Sequence, residues 1–346
     1  MEKTMRAAVF HEYGSAEVLK IEEVAIPQPE PDEILLRVQA IGLNHLDLLA
    51  RAGLGSVQVA LPHIGGSEAA GEIVQLGASV KGFELGQPVV VAPYYYDGSC
   101  TNCIAGEETT CLNGGMLGLS TDGSYAEYVK VPAKNLVKIP EEVSFEEAVA
   151  QSLTTITAWH MLVAKAGVRP GEIVLVQAAG SGVGSAAIQV AKLWGAQVIA
   201  IAANNTKLDK AVQAGADETI NYHEIDLVTE LNRLTEGRGA DIVVEQVGGA
   251  TWEKSLDCVA RNGRLVLCGA TSGAEVRINL EKLFSRQIMV IGSNGGTREE
   301  LKEVLRFTAE GRLNATIDQV FPLEQIVQAQ KYLESRQQYG KVLVKP

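Results

Sequence analysis

The chain has 346 residues, 46% of them hydrophobic and 21% charged, more than one hydrophobic core usually serves, which predicts two domains. A formal net charge of −12 excludes a phosphate-backbone binder as the main role, so no nucleic-acid partner is expected. The opening MEKTMRAAVFHEYG has no long apolar run behind a basic start, and no segment reaches the roughly 18 uninterrupted apolar residues of a membrane span; a soluble, cytoplasmic protein with no membrane partner is the expectation.

From Met5 to about residue 95 the texture is strand and turn. AAVF, VLKIEEV, EILLRVQAIGLN, AGEIVQLG and QPVVVAP are short runs rich in Val and Ile, broken by Gly and Pro, and they predict an all-β barrel region. The stretch YYYDGSCTNCIAGEETTC then places Cys100, Cys103 and Cys111 in a C-x-x-C-x7-C spacing, which in a reducing compartment predicts metal ligation before disulfides.

After residue 151 the period changes. Helical TITAWHMLVAKAG, the buried strand IVLVQAA and helical SAAIQVAKLWG begin an alternation that continues through DIVVEQVG, the helix ATWEKSLDCVARNG and the strand RLVLCGA. Apolar strands alternating with helices that end at Gly predict a doubly wound parallel sheet, and so an α/β fold overall. Two more helices, REELKEVLRFTAEG and LEQIVQAQKYLES, precede a terminal strand, KVLVKP.

The strand IVLVQAA runs into a corner holding Gly180, Ser181, Gly182, Val183 and Gly184. Glycines there let the backbone approach a pyrophosphate, and the following helix aims the positive end of its dipole at it. The next strand ends IAIAANNTKLDK, with no Asp or Glu to bond a ribose 2′-hydroxyl; Asn204, Asn205 and Lys207 suit a 2′-phosphate better, so NADP(H) is expected, with NAD(H) as the alternative. Lys207 reads equally well as a solvated helix-start lysine.

GSEAAGEIVQLGASVKGFELGQPVVV, the cysteine lobe, the turn AGSGVG, the corner GRLVLCGA and the ending GKVLVKP together resemble the medium-chain dehydrogenase/reductase superfamily over essentially the whole chain. The resemblance implies a GroES-like β-barrel catalytic domain at 1–150, completed by 297–346, and a Rossmann domain at 151–296, with the active site in the cleft between them. It also implies cofactor contacts at Tyr222, Val247, Gly269, Ser293 and Asn294.

Zinc alcohol dehydrogenases of that superfamily hold a catalytic zinc through a Cys, a His and a third residue; the matching positions here are Asn44 in GLNHLD, Ser67 in GSE and Leu153. A catalytic zinc needs three protein ligands, so none is expected, and the chain looks like the quinone and enoyl reductase branches, where Asn followed three residues later by Asp, as in Asn44 and Asp47, is usual. The family's structural-zinc lobe has four cysteines, and its first position falls on Asp97, which gives the ligand set Asp97, Cys100, Cys103 and Cys111 for one structural zinc. A decayed lobe with free thiols is the alternative. The lobe is also similar to that of acryloyl-CoA reductases.

The implied chemistry is hydride delivery from the nicotinamide to the β-carbon of an enone, enoyl thioester or quinone, with hydrogen bonds to the developing oxyanion. Asn44, Asp47, Tyr94 and Tyr95 are the candidate catalytic residues; Tyr96 is a weaker one, and His45, beside Asn44, reads as an ordinary loop histidine. A zinc alcohol dehydrogenase with unorthodox ligands and a cofactor-binding protein without turnover are the competing readings. Relatives pair their Rossmann sheets edge to edge, so VRINL and QIMVIGS predict a homodimer.

Overall fold

Described in the computed structural model are residues 3–54 and 57–346. Contacts divide the chain into two units: Met1–Leu153 with Gly296–Gly311 and Ile317–Pro346, and Thr154–Gly295 with Arg312–Thr316. No period in the sequence marks the segment 312–316 as part of the second unit.

The first unit begins with β1 (Thr4–Phe10), β2 (Lys20–Ala25), β3 (Glu33–Leu43), β4 (His63–Ile64), β5 (Ala70–Leu76), β6 (Pro88–Val91), β7 (Tyr94–Tyr95), β8 (Gly115–Met116), β9 (Tyr128–Pro132) and β10 (Leu136–Lys138). Its hub is β3, which pairs with both β5 and β9. Ile34, Leu35, Leu36 and Ile41 of β3 have no measurable exposure, and burying each contributes roughly 2 kcal/mol. β1 pairs with β2 and β4 in a separate three-stranded sheet, and β7 pairs with β8.

The second unit holds β11 (Ile173–Val176), β12 (Gln197–Ala202), β13 (Glu218–Asn221), β14 (Ala240–Glu245), β15 (Val259–Leu267) and β16 (Met289–Gly292) in one parallel sheet of order β13-β12-β11-β14-β15-β16. All four residues of β11 and five of the six in β14 are buried, as a sheet covered on both faces requires.

Three local expectations change. The helix read through ATWEKSLDCVARNG stops at Cys258, because Val259 and Ala260 are buried and Val259 joins the sheet opposite Ala240, so burial overrides the helical pattern. TITAWHMLVAKAG is an α-helix only over Thr154–Trp159 and continues as a π-helical turn, His160–Lys165. VRINL forms no strand, leaving Val276, Ile278 and Leu280 exposed.

The last strands, β17 (Ile317–Pro322) and β18 (Lys341–Lys345), return to the first unit. β18 lies between β3 and β17, pairing antiparallel with β3 through Val342–Leu43, Leu343–Gly42 and Val344–Ile41. Among the described residues, no helix is long and apolar enough to cross a membrane.

Candidate functional site

In the first unit, β3 ends at Leu43 and delivers Asn44 as the N-cap of the helix His45–Ala52. Three other segments meet it: the loop before β5 with Ser67 and Glu68, the residue after the helix Phe145–Gln151, which is Ser152, and the start of β18, which is Lys341. Glu68 is fully buried, and its carboxylate lies where a side chain on Gly42 would have to go, which explains a glycine in the middle of this pairing.

Every polar atom of this cluster has a partner. Lys341 forms an ion pair with Glu68 and donates to Asn44 Oδ1 at 2.7 Å and Leu43 O at 3.0 Å. Asn44 Nδ2 donates to Glu68 Oε2 at 2.8 Å and to Ser67 Oγ at 3.1 Å, and Ser152 Oγ donates to Glu68 Oε1 at 3.0 Å. Asn44 is therefore engaged at its carbonyl and at both amide hydrogens.

Asp47 faces inward from the same helix. Its Oδ2 accepts from Asn44 N at 2.8 Å and from the Tyr125 hydroxyl at 3.1 Å, so its immediate role is to fix the helix start. Burial is the main reason its carboxyl titrates high, at about 6. Beyond Tyr125 the network continues through Gln330 to Arg51, which also pairs with Glu334.

The tyrosines separate. The backbone carbonyl of Tyr94 accepts from Asn135 Nδ2 at 2.7 Å. Tyr95 packs on the hydrophobic core, burial raises its phenol well above the usual range, and its enclosed hydroxyl has no hydrogen-bond partner. Tyr96 lies under the Lys134 ammonium, 5.1 Å from the ring centre, and beside Arg298.

The lobe gathers Asp97, Cys100, Cys103 and Cys111, with one ligand-type atom from each within 4.8 Å of all the others. Cys100 Sγ and Cys111 Sγ are 3.8 Å apart, the edge of a tetrahedron whose metal–sulfur bonds are about 2.3 Å. Asp97 Oδ1 accepts from the Ser99 and Cys100 backbones at 2.7 and 2.9 Å, and Asn113 donates to Oδ2 at 2.6 Å, which holds the carboxylate beside the thiols. The donor set fits a four-coordinate structural zinc.

In the second unit the helix Gly182–Leu193 starts at Ser181, whose hydroxyl accepts from Gly184 N at 2.9 Å. A Cβ on Gly184 would collide with the Ala178 carbonyl, so that position admits no larger residue, while one on Gly180 would meet the Lys207 side chain, which would have to move aside. Val183 and Gly182 complete the first helical turn. Asn204 caps the helix Asn205–Gln213 by accepting from Lys207 N at 2.9 Å, while Asn205 joins Asn221 and Glu224 in an amide–carboxylate cluster. Tyr222 follows β13, exposed, its ring against His223.

At the carboxyl end of β14, the fully buried Glu245 accepts from Val247 N at 2.6 Å, Gly248 N at 3.0 Å and the hydroxyls of Thr251 and Ser255. Val247 O accepts from Ser272 N and Oγ, so Val247 has its backbone engaged within the unit and offers only an apolar side chain. Gly269 follows β15 by two residues, and Ser293 and the exposed Asn294 follow β16. Two enclosed oxygens near this edge have no hydrogen-bond partner, Ser293 Oγ and Gln246 Oε1, which fits a polar ligand lying across the strand ends.

Lys341, Tyr125, Glu245 and Gln246 escaped the sequence reading. Glu245 had a visible signal, an acid closing the apolar run DIVV. A lysine opening a terminal strand gives none, since that position is ordinarily wet.

The family described as zinc-binding dehydrogenase matches residues 182–310, and the alcohol dehydrogenase GroES-like domain matches residues 30–141. An alcohol dehydrogenase of Geobacillus stearothermophilus is 35% identical, covering 99% of both chains, and the acryloyl-coenzyme A reductase of Sulfurisphaera tokodaii is 33% identical, covering 96% of this chain and 98% of that one. The crystal structure of an NAD-dependent alcohol dehydrogenase superposes with a TM-score of 0.95 at 44% identity, covering 99% of this chain and all of the other. With both family domains matched and relatives of this identity aligned end to end, the chain belongs to the medium-chain dehydrogenase/reductase superfamily and is an NAD(P)-dependent oxidoreductase.

Proposed function

We propose that this oxidoreductase prefers NADP(H), carries one structural zinc in its cysteine lobe, has no catalytic zinc, and reduces a conjugated carbonyl compound: an enone, a quinone or a small enoyl thioester. The observation that carries the reading is the donor set at Asn44, Ser67 and Leu153. Asn44 is engaged by Lys341, Glu68 and Ser67, Leu153 has no donor, and Glu68 is neutralised by an ammonium. These residues do not fit a catalytic zinc. Similarity to an acryloyl-coenzyme A reductase supports an enoyl thioester among the substrates.

When bound, the reduced dinucleotide supplies a hydride. An enone or enoyl thioester accepts it at the β-carbon, the C=C pair shifts to the bond between the α-carbon and the carbonyl carbon as the C=O pair moves onto oxygen, and a proton from solvent at the α-carbon gives the saturated carbonyl compound; a quinone takes up the hydride and one proton to end as the hydroquinone. Conjugation is what makes the metal dispensable, because charge spreads over the enolate.

The chain holds and orients. Of the two Asn44 donor contacts, the one to Ser67 at 3.1 Å is the longer, and it is the one exchanged for the developing oxyanion while Lys341 and Glu68 keep the amide in place. Asp47 and Tyr125 fix the helix start from which Asn44 projects.

The test is reduced-cofactor consumption, NADPH beside NADH, with a conjugated enone or quinone set against a saturated aldehyde of matching size. Turnover confined to the conjugated acceptors is expected. Turnover of the saturated aldehyde, with two zinc ions per chain, would replace this reading with that of an unorthodox zinc alcohol dehydrogenase.

A further inference from the structure

Gln246 directly follows β14 and is only 8% exposed. Its amide is oriented by the protein itself: Nε2 donates to the Gln177 carbonyl at 2.5 Å and to Ser181 Oγ at 3.3 Å. Turning the amide over would bring two carbonyl oxygens together, so Oε1 is the remaining atom, and it is enclosed with no hydrogen-bond partner. An acceptor removed from water without a donor is unfavourable, and a ligand that brings the donor recovers the difference.

The position says which part of a ligand that is. Ser181 caps the helix that receives the pyrophosphate, so Gln246 touches the phosphate turn itself. In the sheet, β11 has β12 on one side, leading to Asn204 and the adenosine end, and β14 on the other. A dinucleotide crossing the strand ends from the turn toward β14 presents its nicotinamide ribose there first.

We propose that Gln246 Oε1 accepts a hydrogen bond from a hydroxyl of the nicotinamide ribose. The carboxylate behind it keeps the strand end rigid: Glu245 holds Val247 N and Gly248 N on the far side of Gln246, and Ser255, which donates to Glu245, accepts from Gln177 Nε2 at 2.9 Å. Gln177 thus braces Gln246 through its carbonyl and Glu245 through its side chain. This assignment rests on the reading that these strand ends bind the nicotinamide dinucleotide.

The experiment measures equilibrium affinity by calorimetry, without turnover. Wild type and Gln246→Met are titrated with the reduced dinucleotide, with analogues whose nicotinamide ribose is 2′-deoxy or 3′-deoxy, and with an adenosine diphosphate fragment lacking that ribose. One deoxy analogue is expected to bind wild type about tenfold more weakly than the parent, the scale of one hydrogen bond. Gln246→Met is expected to lose a similar factor for the parent, to show no further loss with that analogue, and to bind the fragment within about twofold of wild type. Equal binding of the parent and both analogues by wild type overturns the proposal, as does a variant that loses parent and fragment alike. Should the variant not fold, the analogue series on wild type decides alone. Wild type that binds no dinucleotide at all removes the cofactor reading and this assignment with it.

Discussion

Lys341 and Glu68 are 273 residues apart in sequence and form an ion pair whose side chains are 4% and 0% exposed. The pair draws together β18, the loop before β5 and the end of β3, the three segments that fix Asn44. Such a pair contributes little when compared with an apolar replacement, yet removing one partner strands a charge.

Lys341→Met is therefore expected to cost about 3–5 kcal/mol in urea unfolding, and Glu68→Gln combined with Lys341→Met less than the two single changes added together. A loss below about 1 kcal/mol for Lys341→Met would mean that water reaches the carboxylate and that the cluster is not closed.

Asp47 gives a pH dependence with a definite sign. Its folded carboxyl titrates at about 6, above the ordinary value of 3.8, so the native state holds the proton more tightly than the unfolded chain. Stability from this residue is intact below about pH 4, falls as pH rises through 6, and levels off above it. Asp47→Asn should match wild type near pH 4 and gain on it, by about 2–3 kcal/mol, at pH 7. A difference that is constant from pH 4 to 7 would show that Asp47 is not the titrating group. Tyr125, Ser67, Lys341 and Glu68 act on the same carboxyl, so the comparison must keep them unchanged.

The lobe predicts one zinc per chain by elemental analysis. Cys103→Ser should lose it and lower the thermal midpoint, whereas Asp97→Cys should retain it, because a thiolate at that position completes a four-sulfur set. Metal-replete wild type without zinc would identify the lobe as free thiols.

Lys207 bears on cofactor choice. Lys207→Ala should weaken NADPH binding about tenfold while changing NADH binding less than twofold, since only the 2′-phosphate draws on the ammonium. Equal effects on both would assign the side chain to covering Gly180, against which it packs.

A homodimer is expected through the edge strand β16, where Met289 and Val290 are exposed beside Leu280 and Phe284, which are 70% and 71% exposed. Phe284→Glu should shift the mass in light scattering from dimer toward monomer at micromolar concentration. A wild type already monomeric there would leave this apolar face without that partner.

The fold was legible where one physical signal dominates. The run IVLV before Gly180 and the helix after it state a parallel strand and a phosphate turn without tertiary help, because continuous burial and glycine geometry are local properties. The cysteine spacing states its own cluster for the same reason. VRINL and the tail of ATWEKSLDCVARNG misled, since their patterns suit a strand and a helix while the sheet's register sets the outcome. At the first unit's polar cluster the positions of Asn44 and Ser67 were readable, but their availability was not: whether an amide is free depends on Lys341, a residue that no spacing connects to them.

The place of β18 also has a consequence for how the protein is made. The strand fills the gap between β3 and β17, so the first unit's larger sheet cannot be assembled until roughly three hundred residues after β3 have been synthesised. All but a few residues of the second unit form one contiguous stretch made in between, and its strands pair among themselves. Vectorial synthesis thus favours a folded nucleotide-binding unit while the earlier-made barrel still exposes an open edge at β3, and that interval is when a chaperone has a strand to shield.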